Sequence, residues 1–212
     1  MIDVDAVLWD LDGTIADTEP LWIAAERRLA DEHGGIWTEE DSLHLVGSAL
    51  IDAGEYIRTT LGLALTAAEV VDRLVERVVA GVREHVEWRP GAVELLKAFE
   101  AEEVPQALVT MSWAVIADEI APALPFDAVV TGDVVTRGKP HPEPYLMAAE
   151  RLDVDPSRCL AIEDSATGAA SANAAGCHVV VVPHVVKVPE ADRRVAIPTL
   201  AGLVPDDLRA LF

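Results

Sequence analysis

Val4-Asp5-Ala6-Val7-Leu8-Trp9-Asp10-Leu11-Asp12-Gly13-Thr14 is the stretch from which the architecture can be read outward. Val4–Trp9 is short, apolar and rich in β-formers, and the Asp-Leu-Asp-Gly that ends it is turn chemistry, so a buried strand is expected there. From Thr18 the period becomes helical. Thr18 is the expected N-cap, with Glu19 and Pro20 in the first turn and Gly34-Gly35 as the stop. Thr38 with Asp41 three residues on marks a second helix start, and Ile51–Leu61 reads as a third helix. Val70, Leu74, Val78, Val82 and Val86 fall every four residues, with Val71, Val75 and Val79 on the same stripe, so Thr66–Val86 is the clearest helix. Residues 16–86 carry no strand signal.

After Pro90-Gly91 the rhythm alternates. Helices are expected at Ala92–Glu103, Trp113–Ala121, Glu143–Leu152 and Ala166–Ala175. Strands are expected at Gln106–Thr110, Ala128–Thr131, Cys159–Ile162 and His178–Val182. Such alternation implies parallel βαβ units and a sheet covered on both faces. The expected class is therefore α/β: a Rossmann-like parallel-sheet core from residues 1–15 and 87–212. A helical-bundle cap, residues 16–86, is inserted after the first strand. The tail, Pro189–Phe212, shows no clear pattern.

The 212 residues are 51% apolar and only 5% aromatic, so a core of Ala, Val and Leu is expected and global disorder is excluded. Thirty-seven acids against 16 bases leave a net charge of −21. A field of that sign repels nucleic acid and anionic lipid, so neither is an expected partner. Lysines occur only at 97, 139 and 187. Cys159 and Cys177 form neither a disulfide framework nor a metal-ligand spacing and are expected to be packed thiols. The acidic start shows no leader and no apolar run is long enough to span a bilayer, so a soluble cytoplasmic protein, monomeric or weakly dimeric, is expected.

In an open parallel sheet, chemistry gathers beyond the carboxyl ends of the strands. Asp10 and Asp12 follow the first strand there, Thr110 and Ser112 the second. Lys139-Pro140 lies a short loop beyond the third, and Glu163-Asp164 closes the fourth. Carboxylates meeting one lysine form a costly cluster unless a cation neutralises it, and oxygen donors favour a hard ion such as Mg²⁺.

Trp9-Asp10-Leu11-Asp12-Gly13-Thr14, Thr110, Gly138-Lys139-Pro140 and Ile162-Glu163-Asp164-Ser165 together resemble the haloacid dehalogenase superfamily. The likeness is to its phosphatase and β-phosphoglucomutase-like branch, and it covers roughly residues 4–186. The resemblance implies that Asp10 is the nucleophile forming an aspartyl-phosphate and that Asp12 is the general acid–base. It implies that Asp164, Asp10 and the Asp12 carbonyl hold Mg²⁺. Glu163 is then either a further ligand or the partner of Lys139. Thr110, Lys139 and backbone N–H groups near Leu11 and Met111 would hold the phosphoryl oxygens.

Departures from the family pattern narrow the reaction. Asp12 argues against dehalogenation, and a cap without lysine argues against Schiff-base phosphonate cleavage. Where the mutase pattern has a cap histidine and arginine, this chain has Trp22 and, three residues after Gly47, Leu50. Hydrolysis of a small sugar or polyol phosphate is expected, with a sugar-phosphate mutase as the alternative and a non-catalytic binding protein as the more distant one. Glu19, Trp22 and Gly47 are the candidate substrate contacts, Trp22 serving either as an apolar wall or as hinge packing. His141 reads as a loop residue.

Overall fold

The computed structural model describes residues 2–184 and 187–212; residues 1, 185 and 186, which fall inside the expected core ranges, lie outside them. Strand β1 (Ala6–Trp9) is followed by four helices: α1 (Glu19–Glu32), α2 (Glu39–Leu45), α3 (Leu50–Thr60) and α4 (Ala67–Glu84). The chain then runs α5 (Ala92–Ala101), β2 (Gln106–Val109), α6 (Ala114–Ile120), β3 (Ala128–Val130), α7 (Glu143–Arg151) and β4 (Cys159–Glu163). It ends with α8 (Ala166–Ala175), β5 (His178–Val181), β6 (Arg194–Ala196) and α9 (Pro205–Arg209). The six strands make one sheet in the order β3-β2-β1-β4-β5-β6, every neighbouring pair parallel.

Alternation along β1 sends Val7 and Trp9 to one face and Ala6 and Leu8 to the other, each into its own apolar layer. The layer under Trp9 continues through Leu11 and Ile15 into the helical block, reaching Leu29, Ile57 and the α4 stripe. Val70, Val71, Leu74, Val75, Val78, Val79 and Val82 are all buried. Thr66 and Thr38 each close a capping box, with Glu69 and Asp41. Val86 lies past the end of α4 at Glu84 but still packs, partly buried, against the same apolar layer. Cys159 and Cys177 are free and buried, and burial pushes the Cys159 thiol up to about 12, which keeps it unreactive.

The chain leaves and re-enters the sheet domain through two adjacent crossings. Ala16 bridges Trp88, the Asp17 N–H donates to the Glu87 carbonyl at 2.8 Å, and the Arg89 N–H donates to that of Ile15 at 2.8 Å. Two elements of the tail were not anticipated: β6, whose three residues are half-buried or exposed, and α9, which Pro205 opens. Among the described residues no helix is long and apolar enough to cross a membrane.

Candidate active site

The strand order reverses at β1, with β2 on one side and β4 on the other, which leaves a crevice beyond their carboxyl ends. Asp10 leaves β1 into it, Asp164 leaves β4, Thr110 leaves β2, and Lys139 enters from the loop after β3. All four are buried, as is Glu163.

Lys139 is the hub. Its Nζ donates to Asp10 Oδ1 at 2.6 Å, to Glu163 Oε1 at 2.6 Å and to the Val109 carbonyl at 3.0 Å. Glu163 Oε1 also accepts the Tyr145 hydroxyl at 2.7 Å, while Oε2 accepts Ser165 Oγ at 3.0 Å and the N–H groups of Asp164 and Ser165 at 3.2 and 3.3 Å. Carboxylate oxygens of Asp10, Glu163 and Asp164 lie within 4.8 Å of one another. Burial, then the charge of Glu163, push Asp10 up to about 7 against the pull of Lys139. Burial, then Asp10, push Asp164 upward too. Burial alone would lower Lys139, but the two carboxylates outweigh it and raise its pKa. One ammonium thus faces more negative charge than it neutralises. Oxygen donors with surplus negative charge fit a hard divalent cation.

Gly13 sits at φ +83°, and a Cβ there would lie 2.2 Å from Asp164 Oδ2. Only glycine lets the turn after Asp12 pass this close to the second acidic strand end. Asp12 is suspended on the opposite side of the crevice. Its Oδ1 accepts Thr18 Oγ1 at 2.5 Å, and its Oδ2 accepts Ser112 Oγ at 2.8 Å and Thr110 Oγ1 at 3.0 Å. Thr18 stands at the N-cap position of α1 as expected, but its side chain makes no capping bond. Its backbone is αR (φ −91°, ψ −10°) rather than extended, and its hydroxyl turns back to Asp12.

A cavity of about 90 Å³ opens over Asp10, Asp12, Lys139 and Asp164 and is closed by the helical block. Glu19, Trp22 and Gly47 line it, as do Met111 and Leu50. Burial, then the charge of Asp12, push Glu19 up to about 7. Met111 Sδ accepts the Lys139 N–H at 3.1 Å, and Trp22 Nε1 points at Asp12 Oδ1 from 3.5 Å. The Gly47 carbonyl accepts Thr167 Oγ1 of α8 at 3.1 Å, a bond from the sheet domain to the block. His141 is a loop residue whose Nδ1 accepts the Glu143 N–H at 3.1 Å.

The crevice thus gathers Asp10, Asp12, Thr110, Met111, Lys139, Glu163 and Asp164, with Glu19, Trp22 and Gly47 above them. The family model for haloacid dehalogenase-like hydrolases matches residues 7–182. The chain belongs to this family. It is 32% identical over 177 residues to the phosphorylated carbohydrates phosphatase of Thermotoga maritima, covering 82% of each chain. It is 34% identical over 178 residues to hexitol phosphatase A of Escherichia coli, covering 82% of this chain and 81% of the relative. The crystal structure of CbbY from Rhodobacter sphaeroides in complex with phosphate superposes with a TM-score of 0.85 at 28% identity, over 97% of this chain and 99% of that one.

Sequence reasoning missed several residues of this hydrolase's site. Ser112 had been noticed at a strand end without a role, and its position two residues after Thr110 was the available signal. Tyr145 on α7 and Ser42 on α2 carried none. Glu26 carried one: it is an acid on the α1 face that otherwise buries Ala25, Leu29 and Ala30.

Proposed function

We propose that this hydrolase is a Mg²⁺-dependent phosphatase that cleaves a small sugar or polyol phosphate monoester through an aspartyl-phosphate. One observation carries the reading: the buried Asp10 carboxylate is held by Lys139 at 2.6 Å, faces the cavity, and shares its corner with Asp164. The names of the two curated relatives support the substrate class.

An Asp10 oxygen attacks phosphorus, the bond from phosphorus to the ester oxygen breaks, and Asp12 gives that oxygen its proton. Water then attacks the aspartyl-phosphate, Asp12 takes the water proton, and inorganic phosphate leaves with Asp10 regenerated. Asp12 is suited to both steps because Thr18 and Ser112 hold its carboxylate at the cavity and Lys139 donates to Asp10 and Glu163 instead.

Lys139 and the N–H groups near Leu11 and Met111 meet the phosphoryl oxygens. Thr110, whose hydroxyl now donates to Asp12, joins them when a phosphoryl group draws it away. Asp10, Asp164 and the Asp12 carbonyl are the residues that would hold Mg²⁺, which supplies charge neutralisation so that an anionic ester can approach. Glu163 has both oxygens taken up by hydrogen bonds and acts as the anchor of Lys139 rather than as a ligand. The helical block, residues 16–86, is a cap that closes on substrate and opens for release.

Asp10→Asn is the decisive test. Phosphate release falls by at least about a thousandfold while the melting temperature stays within a few degrees of wild type. Appreciable residual turnover removes Asp10 as the nucleophile.

A further inference from the structure

The roof of the cavity carries charge of one sign. Glu19 and Glu26 line it from α1, with Ser42 beside them from α2. Among the described residues, no Lys, Arg or His of the helical block lines the cavity, and Lys139 below is already engaged by Asp10 and Glu163. Four arginines of the block are paired elsewhere, Arg28 and Arg77 with Glu32, Arg58 with Glu55 and Arg83 with Glu119, and Arg73 is exposed. Arg27, the neighbour of Glu26, is exposed, and its charge pulls the Glu26 carboxyl down by less than burial pushes it up.

Glu26 is buried, and only half of its carboxylate is answered. Oε2 accepts Ser42 Oγ at 2.6 Å and Trp37 Nε1 at 3.0 Å, and that indole also reaches Ser42 Oγ at 2.9 Å. Oε1 accepts no hydrogen bond among the described residues, and neither oxygen of Glu19 does. Glu19 is half-buried and neither its oxygens nor Glu26 Oε1 is sealed from solvent, so the idle acceptor sites stay open to a donor that enters the cavity. The Ser42–Trp37 clamp fixes the Glu26 carboxylate without neutralising it, so its free oxygen remains a preset acceptor.

We propose that Glu19 and Glu26 form a charge filter that accepts the hydroxyl groups of a neutral sugar or polyol and rejects phosphate esters bearing a second anionic group. The inference rests on the phosphatase reading and adds to it the basis of substrate choice. A hydroxyl donates to either carboxylate. A second phosphate or a carboxylate meets like charge with no cation of the block lining the cavity to receive it, and it leaves both acceptors unmet. Discrimination by repulsion needs no close shape match, which suits a roof built from side chains on a movable block.

Glucitol 6-phosphate and 6-phosphogluconate test this directly, because they differ only in a terminal hydroxymethyl against a terminal carboxylate. The assay is run with Mg²⁺ at pH 8, above the raised value of about 7 for Glu19. kcat/KM for the polyol ester exceeds that for the acid by about a hundredfold or more. Glu19→Gln and Glu26→Gln each shrink that ratio by about tenfold. The ratio is taken within each protein, so a general loss of chemistry cancels. Should Glu26→Gln fail to fold, Glu19→Gln carries the test, since it forfeits no hydrogen bond.

A wild-type ratio near one overturns the filter, and so does a ratio that neither variant moves. If wild type also leaves 4-nitrophenyl phosphate intact, the phosphatase reading fails on its own. The Kd values of the two esters by calorimetry then decide the filter: tighter binding of the polyol ester supports it, and equal binding overturns it.

Discussion

The floor and the roof of the cavity are built on different terms. On the floor, Lys139, Asp10, Glu163 and Tyr145 answer one another at 2.6–2.7 Å, and Asp10 and Glu163 hang from the ends of neighbouring parallel strands. In the roof, Glu26 is answered on one oxygen and Glu19 on neither, and the whole block joins the sheet domain through two adjacent crossings. A sheet fixes backbone direction at each strand end, so side chains placed there converge whatever the rest of the molecule does. A roof made of packed helices sets its side chains only through tertiary contacts. The proposed function accordingly puts the reaction chemistry on the floor, and the proposed filter puts selectivity in the roof.

Removing the hub of the floor gives the largest effect expected. Lys139→Met leaves the buried Asp10 and Glu163 carboxylates facing each other with no counter-charge, which costs about 3–5 kcal/mol of stability. Urea unfolding without metal measures it. A second change, Glu163→Gln, recovers part of the loss, because one of the two repelling charges is then gone. A Lys139→Met protein within about 1 kcal/mol of wild type would show that the floor is held by packing alone, and the contrast with the roof would disappear.

The same difference governs what could be read before any coordinates. Asp10, Asp12 and Asp164 were legible because each follows directly on an apolar run that can only be a buried strand, and Lys139 because it closes a short loop after one. The α4 stripe was legible because its period survives a single turn of error at the end. The Glu26–Ser42–Trp37 cluster was not, since it joins residues from separate elements that no local period connects. Thr18 was legible as the N-cap position of α1, but the turn of its hydroxyl to Asp12 was not, because a capping hydroxyl and one that bonds elsewhere look alike in sequence. Strand β6 escaped because three half-exposed residues at a sheet edge need no apolar run.

Thr18 sits where floor and roof meet, and it tests whether the hinge positions the acid. Its hydroxyl is buried and donates to Asp12 Oδ1 at 2.5 Å. Thr18→Val keeps the shape and deletes the donor. kcat falls roughly tenfold with KM little changed, as expected for one hydrogen bond to a charged group. Thr18→Ser restores kcat. A fall in KM and kcat together, unrelieved by serine, would make Thr18 a packing residue.

The smallest effect comes from an ion pair of nearly the same length as those in the floor. Arg83 on α4 meets Glu119 on α6 at 2.5 Å, against 2.6 Å for Lys139 with Asp10, and it ties roof to floor. Length is not strength: the Arg83 side chain is 63% exposed, the Lys139 side chain 3%. Water screens the first pair and solvates either partner when the other is removed, so about 0–1 kcal/mol is at stake. Arg83→Ala accordingly shifts stability by less than about 1 kcal/mol and changes KM by no more than a few-fold, and 0.5 M salt erases the difference between variant and wild type. A large, salt-resistant rise in KM would mean that closure of the roof depends on this contact, and the block would then be latched from its rim rather than seated by the Gly47–Thr167 bond and the apolar layer beneath it.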